Sequence, residues 1–350
     1  MTVWKAGNYW TPNGMSRILK PGDGVPDWDS TQYNQIVVNE TKAFVERQTN
    51  FRPEQPFFTY VALGAVHIPH TPGYKYMDGT PLAGQHPSKH MDVLKEMDKV
   101  VGSLMDLLRD QGVLENTIVL FTSDNGGLST SNKYGHLSSG PLRGNKGSIY
   151  EGGHTIPMIM RWDNGLIPKG EKRSHLVGLS DVFATLTDLV GLQKPRSQAI
   201  DSISFADYVL HEDNQNDLRQ HFGIWRYIKS DHTHSALRRG SMKLVYDHKT
   251  KQSELYDLSK DLSEEIDISG QNRWLVRQMK KRLLKIGPCI DRPEFFNIEI
   301  DHSRKIVFRS CAWFGRFREK NRCMLSHDAR IYCGKTCVAH ERVACSTLVE

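Results

Sequence analysis

Apolar residues recur along this chain with two different periods, and the switches between them mark out its elements. Residues 1–34 hold neither period, although they carry Trp4, Trp10 and Trp28. From Tyr33 to Arg47 the positions Tyr33, Ile36, Val37 and Phe44 predict an amphipathic helix, which Pro53 and Pro56 terminate. Phe57–Leu63 is then an apolar, aromatic run of strand length. Met91, Leu94, Met97, Val101, Leu104 and Leu108 return to helical spacing, with Gly112 placed to close the helix in the left-handed conformation. This methionine-bearing stripe reads as core, and Asp98 and Asp106 on the same helix as solvated or surface-paired. Thr117–Thr122 predicts a strand buried on both faces, and Ile156–Trp162 another. Ser180 and Asp181 cap a helix through Val182, Phe183, Leu186, Leu189 and Val190, ending at Gly191.

The strand–helix–strand order between residues 57 and 122 is a βαβ unit, whose right-handed crossover makes its strands parallel. After a polar stretch at 211–220 the pattern changes class. Phe222–Tyr227, Met242–Tyr246 and Glu254–Leu258 are short strands joined by polar turns, which predicts antiparallel pairing, and a basic helix over Trp274–Ile286 follows. The expected architecture is α/β. A doubly wound, mostly parallel sheet, incomplete on its N-terminal side, occupies residues 1–220; a small antiparallel α+β subdomain occupies 221–287; a cysteine-rich tail occupies 288–350.

Composition narrows the reading. The net charge of +6 over 350 residues comes without a long Lys/Arg block, so nucleic-acid binding is not indicated. No apolar run approaches ~18 residues, and no apolar leader follows Met1, so neither a membrane span nor a signal peptide is visible. All 6 cysteines lie between Cys289 and Cys345. An even count in a short, loop-rich tail reads as a disulfide framework made in an oxidising compartment. Cys333 and Cys337 with His327 and His340 offer zinc as the competing reading. Asn39-Glu40-Thr41 is a glycosylation sequon and agrees with a secretory route. Arg309, Arg316, Arg318, Lys320 and Arg322, interleaved with Trp313, Phe314 and Phe317, give the tail a basic face suited to sulfated or carboxylated glycans or simply to solvent.

The chemistry concentrates between residues 117 and 157. The Thr117–Thr122 strand stops at Ser123-Asp124-Asn125-Gly126-Gly127, which puts a carboxylate and an amide oxygen at a strand's carboxyl end, where α/β sheets bind ligands. Hard oxygen donors of this kind suit Ca²⁺ or Mg²⁺. Pro141-Leu142-Arg143-Gly144-Asn145-Lys146-Gly147-Ser148 then offers two cations in a glycine-punctuated loop, a composition fit for an oxyanion, and Glu151-Gly152-Gly153 turns the chain into the next strand. Upstream, His67 and His70 lie just past the Phe57–Leu63 run in Val66-His67-Ile68-Pro69-His70.

In this order the motifs resemble the sulfatase family, of the alkaline phosphatase superfamily. There a Pro-Phe-Phe strand leads to a His-x-Pro element, and an Asp-Asn-Gly-Gly turn precedes a Pro-Leu-Arg-Gly-x-Lys-Gly loop and a Glu-Gly-Gly turn. The resemblance runs from residue 33 to 286, because Met242–Tyr246 and Glu254–Leu258 match the Lys-Leu and Glu-Leu-Tyr-Asp-Leu strands of the family's small C-terminal sheet. It implies that Asp124 and Asn125 bind calcium, that His67 and Lys146 contact the sulfate of a sulfated small molecule or glycan, and that the protein works extracellularly or in lysosomes. Arg143 is expected to brace its loop, and His70 to sit at the rim.

Sulfatases use a formylglycine made from the cysteine of a Cys-x-Pro-Ser-Arg or Cys-x-Ala-x-Arg motif, and neither motif occurs in these 350 residues. The expectation is an amino-terminally truncated calcium- and formylglycine-dependent sulfuric ester hydrolase that is inactive as written. The alternatives are a secreted, catalytically dead module that binds acidic glycans and a phosphatase of the same superfamily, which would show Asp-His in place of Asp124-Asn125. A P-loop nucleotidase is excluded because residues 140–148 do not give GxxxxGK[ST]. The cysteine reading predicts that the secreted chain, denatured without reductant, shows no titratable thiol and no zinc. Six thiols, or one equivalent of zinc, would overturn it.

Overall fold

The computed structural model describes residues 8–11, 14–17, 29–129, 134–165, 167–195, 198–211, 222–225, 234–286, 296–300 and 305–309. All cysteines, and with them the tail's disulfide, zinc and basic-face readings beyond Arg309, lie outside the described residues. The chain forms two compact units, one drawing on residues 1–121, 130–136 and 159–169, the other on 122–129, 137–158 and 170–350.

The first unit opens with an antiparallel hairpin that periodicity does not reveal, β1 (Asn8–Thr11) against β2 (Gly14–Arg17). Helix α1 (Tyr33–Phe51) follows and stops at Arg52, the residue before Pro53, whose ring disfavours helical backbone at that point. The Phe57–Leu63 run is not a strand: it joins no ladder, and Phe58 and Tyr60 are 75% and 82% exposed. Side chains anchor it instead. Phe57 meets Phe44 of α1 edge-on at 5.8 Å, the Tyr33 hydroxyl donates to the Ala62 carbonyl, and Leu63 packs on the cluster of Val38, Tyr76, Leu82 and Val100.

Helix α2 (Lys89–Asp110) is capped by Ser88, whose hydroxyl accepts from the Met91 amide. It ends as expected at Gly112, where φ is 68°, and the amides of Gly112 and Val113 return to the carbonyls of Arg109 and Leu108. Its most deeply buried face differs from the predicted stripe. Val93, Glu96, Val100 and Leu107 are buried with Asp92, whereas Met91, Leu94, Met97, Val101, Leu104 and Leu108 are half-buried. Two acids disguise the inner face because their work is to satisfy loop amides. Asp92 accepts from Gly84 and from the backbone and ring of His86, and Glu96 accepts from Gly73. Asp98 is exposed and Asp106 pairs with Arg109, so both stay on the surface.

Strands β3 (Val119–Thr122) and β4 (Met158–Arg161) form a two-stranded sheet. β3 is half-buried along its length and not enclosed on both faces, while β4 alternates and leaves Ile159 60% exposed. In the second unit α3 (Val182–Leu189) ends at Gly191 as predicted, but Phe183 and Val190 are exposed and the buried positions are Ala184, Thr185 and Leu189. Asp181 is buried at its start and accepts from the amides of Gly178 and Ile203. The short helix α4 (Ala206–Leu210) follows.

The antiparallel sheet is as the pattern predicts, with one strand more. β5 (Phe222–Trp225), β6 (His234–Arg239), β7 (Met242–Asp247) and β8 (Ser253–Asp257) pair in sequence order, and helix α5 (Arg273–Ile286) packs Met279 and Leu283 onto Leu237, Leu244, Tyr246 and Leu255. The hairpin of β9 (Phe296–Ile300) and β10 (Lys305–Arg309) follows α5 in the chain.

Burial raises the Glu96 carboxyl above the ordinary glutamate value, against a lowering by the Gly73 amide and Asn34. An acid raised in the folded state opposes folding once it ionises. The deficit is absent below the ordinary glutamate range and grows as pH rises through the raised value. Glu96→Gln keeps an acceptor for Gly73 and removes the charge, so it is expected to raise Tm at pH 7 and to leave Tm unchanged at pH 4. A shift of equal size at both pH values would contradict this.

Candidate active site

The Asp124 turn, the Lys146 loop and the Glu151 turn interlock through their main chains. The Gly126 amide donates to Gly153 at 3.0 Å, the Lys146 amide to Gly127 at 2.8 Å, and the Gly152 amide to Arg143 at 2.8 Å. Ser139 adds a hydroxyl bond to the Gly152 carbonyl, and Asn145 donates its amide to Ser139. Such close approach excludes side chains. A Cβ on Gly126 would fall within the Gly152 carbonyl, and one on Gly152 within that of Gly144. The glycines thus bring Lys146 beside the turn that carries Asp124 and Asn125.

Within the turn, Asn125 spends its amide nitrogen on the Gly126 carbonyl at 3.0 Å, which leaves Oδ1 available as a ligand. The Ser123 hydroxyl donates to the Asn125 carbonyl, and Asp124 is exposed. A carboxylate and an amide oxygen fit part of a calcium shell of about six to eight oxygens. Among the described residues no group of three or more His, Cys, Asp or Glu is arranged to hold a metal, so the pair is a partial ligand set.

His67 belongs to the first unit. Its Nδ1 lies 2.6 Å from the Ile68 carbonyl, so that nitrogen carries the proton and Nε2 is the one left for a ligand. His70, expected at the rim, gathers with two histidines that the sequence reading passed over. Its ring meets His90 at 5.1 Å and His90 meets His136 at 5.6 Å. Burial holds both His70 and His90 below the ordinary histidine value. The loops around residues 70–90 and 136 therefore meet on imidazoles. Asn39 is exposed on α1, on a helix where a sequon usually implies a loop.

Arg143 braces its loop, as expected. Its guanidinium donates to the Tyr256 hydroxyl at 3.0 Å and the Glu264 carbonyl at 2.8 Å, and it stacks 3.6 Å over the Tyr150 ring. Glu254 accepts from both Tyr150 and Tyr256; burial first, then that carboxylate, pushes the Tyr150 phenol up to about 12.

Beneath these loops lies an ion cluster that no local motif announces. Lys243 of β7 is wholly buried, 2.9 Å from Glu151 Oε1 and 2.8 Å from Glu264 Oε1. Arg238 of β6 reaches the other oxygen of Glu151 at 3.2 Å, and the Glu151 amide donates to Glu264 Oε2 at 2.6 Å. Burial pushes Glu151 up, but Lys243 and the Thr155 hydroxyl outweigh it and hold the acid below its ordinary value. For Glu264 burial wins and the value rises. His154 has Nε2 3.2 Å from both Lys243 Nζ and the Ile149 carbonyl; burial and then that cation take it down to about 4, so the ring is neutral. The only sequence signal for this cluster is a lysine inside an apolar strand, Met242-Lys243-Leu244-Val245.

A sulfatase family model matches residues 4–192, more than half of the chain. The chain belongs to the sulfatase family. A second model, N-sulphoglucosamine sulphohydrolase, C-terminal, matches residues 145–287 of this sulfatase-family chain. An N-acetylgalactosamine-6-O-sulfatase of Bacteroides thetaiotaomicron is 29% identical over 291 residues, covering 77% of this chain and 54% of that protein. The N-acetylgalactosamine-6-sulfatase of Canis lupus familiaris is 35% identical over 178 residues, covering 50% and 32%. Among solved structures, a sulfatase from Pseudoalteromonas superposes with a TM-score of 0.60 at 27% identity, covering 77% of this chain and 56% of that one. The chain spans about half the length of the first of these curated relatives. The fold is thus of the α/β sulfatase type, with its small antiparallel sheet.

Lys243 is the residue to test. Lys243→Met leaves two buried carboxylates without their shared cation and is expected to cost roughly 3–5 kcal/mol of stability. Adding Glu151→Gln and Glu264→Gln should recover part of that loss in denaturant titrations. A single variant as stable as the parent would remove the cluster from the account.

Proposed function

We infer that this chain carries the metal- and oxyanion-binding half of a sulfuric ester hydrolase acting on a sulfated glycan. The observation that carries the reading is the interlock of the Asp124-Asn125 turn with the Lys146 loop in a member of the sulfatase family. Relatives named for N-acetylgalactosamine-6-sulfate support a sulfated amino-sugar polymer as the substrate class. The motifs are those of a doubly wound domain that would continue the β3–β4 sheet, with a C-terminal subdomain from about residue 221. The protein would travel the secretory route, with Asn39 glycosylated.

The roles follow from chemistry. Lys146 places an ammonium against sulfate oxygens as negative charge shifts during ester cleavage. His67 presents Nε2 to the leaving oxygen, to which a protonated ring can give its proton. Arg143 keeps the loop in place without touching substrate. Asp124 and Asn125 would hold calcium, which when bound neutralises sulfate oxygens. The attacking group of the family, formylglycine, has no cysteine motif within these 350 residues. The chain as it stands is therefore expected to bind the ligands of the site and to hydrolyse an aryl sulfate no faster than its Lys146→Ala control.

Calorimetric titration with calcium tests the ligand assignment apart from turnover. Asp124 supplies a formal charge and Asn125 only a carbonyl dipole, so Asp124→Ala should abolish saturable binding and Asn125→Ala should weaken it about tenfold. Inorganic sulfate should bind the parent more tightly than Lys146→Ala. Unchanged calcium binding in both turn variants, or unchanged sulfate binding in Lys146→Ala, would refute the assignment.

A further inference from the structure

Helix α5 reads Arg-Trp-Leu-Val-Arg-Gln-Met-Lys-Lys-Arg-Leu-Leu-Lys-Ile over its 14 residues. Its cations are Arg273, Arg277, Lys280, Lys281, Arg282 and Lys285, and it contains no acid. The whole chain has 46 Lys and Arg against 40 Asp and Glu. Without the six cations of α5 the remainder is balanced, 40 against 40. The formal charge excess of the protein thus equals the charge of one helix.

Three of these cations, Arg273, Arg277 and Lys281, are presented outward, while Lys280 and Arg282 are half-buried. Met279 and Leu283 are buried, with Leu275 and Val276 packed beside them, so most of the apolar side of the helix is covered by the sheet, and Leu284 stays 47% exposed. Arg273, Arg277 and Lys281 are exposed and recur every fourth residue, about 6 Å apart along the axis. Trp274 is 68% exposed next to them. Lys280 lies 4.1 Å over the Tyr246 ring and steadies the helix. Among the described residues none of Arg273, Arg277 and Lys281 is in an ion pair, although exposed lysines and arginines elsewhere are, such as Lys42 with Glu46 and Arg109 with Asp106.

We propose that the outer face of α5 is a docking surface for a linear sulfated polysaccharide, apart from the site that carries Lys146. Charge complementarity selects the occupant. An acid-free row of cations at near-regular spacing meets a polymer that repeats its anions, and an exposed indole offers a sugar ring an apolar face. A bilayer is the poorer fit, because membrane-bound amphipathic helices insert a continuous apolar side and most of that of α5, Leu275, Val276, Met279 and Leu283, is spent on the sheet. The choice of a sulfated glycan over another polyanion rests on the sulfatase reading. The surface would hold the chain on its polymeric substrate and raise the local concentration of sulfate esters, as a second binding module does.

Binding of the full chain to immobilised chondroitin sulfate at physiological salt tests this. Combined Arg273→Ala, Arg277→Ala and Lys281→Ala substitution should weaken binding at least tenfold and flatten its salt dependence, with Tm unchanged because all three positions are exposed. The lysine version of both arginines should retain binding, chemically desulfated polymer should not bind, and the triple variant should still bind the free sulfate ion like the parent. Parent-like binding by the triple variant, no binding by the parent, retention of desulfated polymer, or tighter binding to duplex DNA would each overturn the proposal. Failure of Lys146→Ala to weaken binding of the free sulfate ion would count against the hydrolase reading and leave this surface standing.

Discussion

Lys243 has no access to solvent and faces Glu151 at 2.9 Å and Glu264 at 2.8 Å. Removing three charged groups from water is costly, and their mutual attraction repays the cost only when the geometry is tight and the leftover lone pairs are satisfied. Here they are. Arg238, the Thr155 hydroxyl and the Glu151 amide fill the remaining positions. The arrangement supplies direction more than net stability, because hydrophobic residues could fill the same space but could not dictate where the Glu151 turn sits. Once Glu151 is fixed over β7, Gly152 and Gly153 are fixed too, and through them Arg143, Gly126 and Lys146. The loops that carry the candidate chemistry are therefore seated on the small antiparallel sheet.

This seating explains how much was legible in the sequence. Glycine spacing announced the Asp124 turn, the Lys146 loop and the Glu151 turn, since close backbone contact leaves a compositional mark. Helix ends at Arg52, Gly112 and Gly191 were readable for the same reason: proline and glycine act locally. Long-range polar contacts leave no such mark. Lys243 and Glu264 lie far from Glu151 in sequence, and a lone lysine in an apolar strand has no period. The inner face of α2 was masked by Asp92 and Glu96, which look like solvent-facing acids until the loop amides they serve are in place. Phe57–Leu63 has strand composition without a ladder, because pairing depends on a neighbour and not on the run itself.

Charge is allotted in two ways on this chain. Around Glu151 and Glu264 cations and anions are buried together and cancel, with His154 kept neutral beside Lys243. On α5 Arg273, Arg277 and Lys281 lie on an exposed face of a helix that has no acid to meet them. The first arrangement holds backbone in place and has no charge left for a ligand. The second has charge to spare, and Lys146, in its glycine-bounded loop, stands between the two: held by its amide, with its ammonium uncommitted to any ion pair among the described residues.

Amide hydrogen exchange, read residue by residue, addresses the seating of the loops most directly. If the sheet holds them through Lys243, the amides of Gly126, Lys146 and Gly152 should be protected to the same level as those of β7, and in Lys243→Met all of them should lose protection together. Free exchange at Gly126, Lys146 and Gly152 while β7 stays protected in the parent would contradict the account.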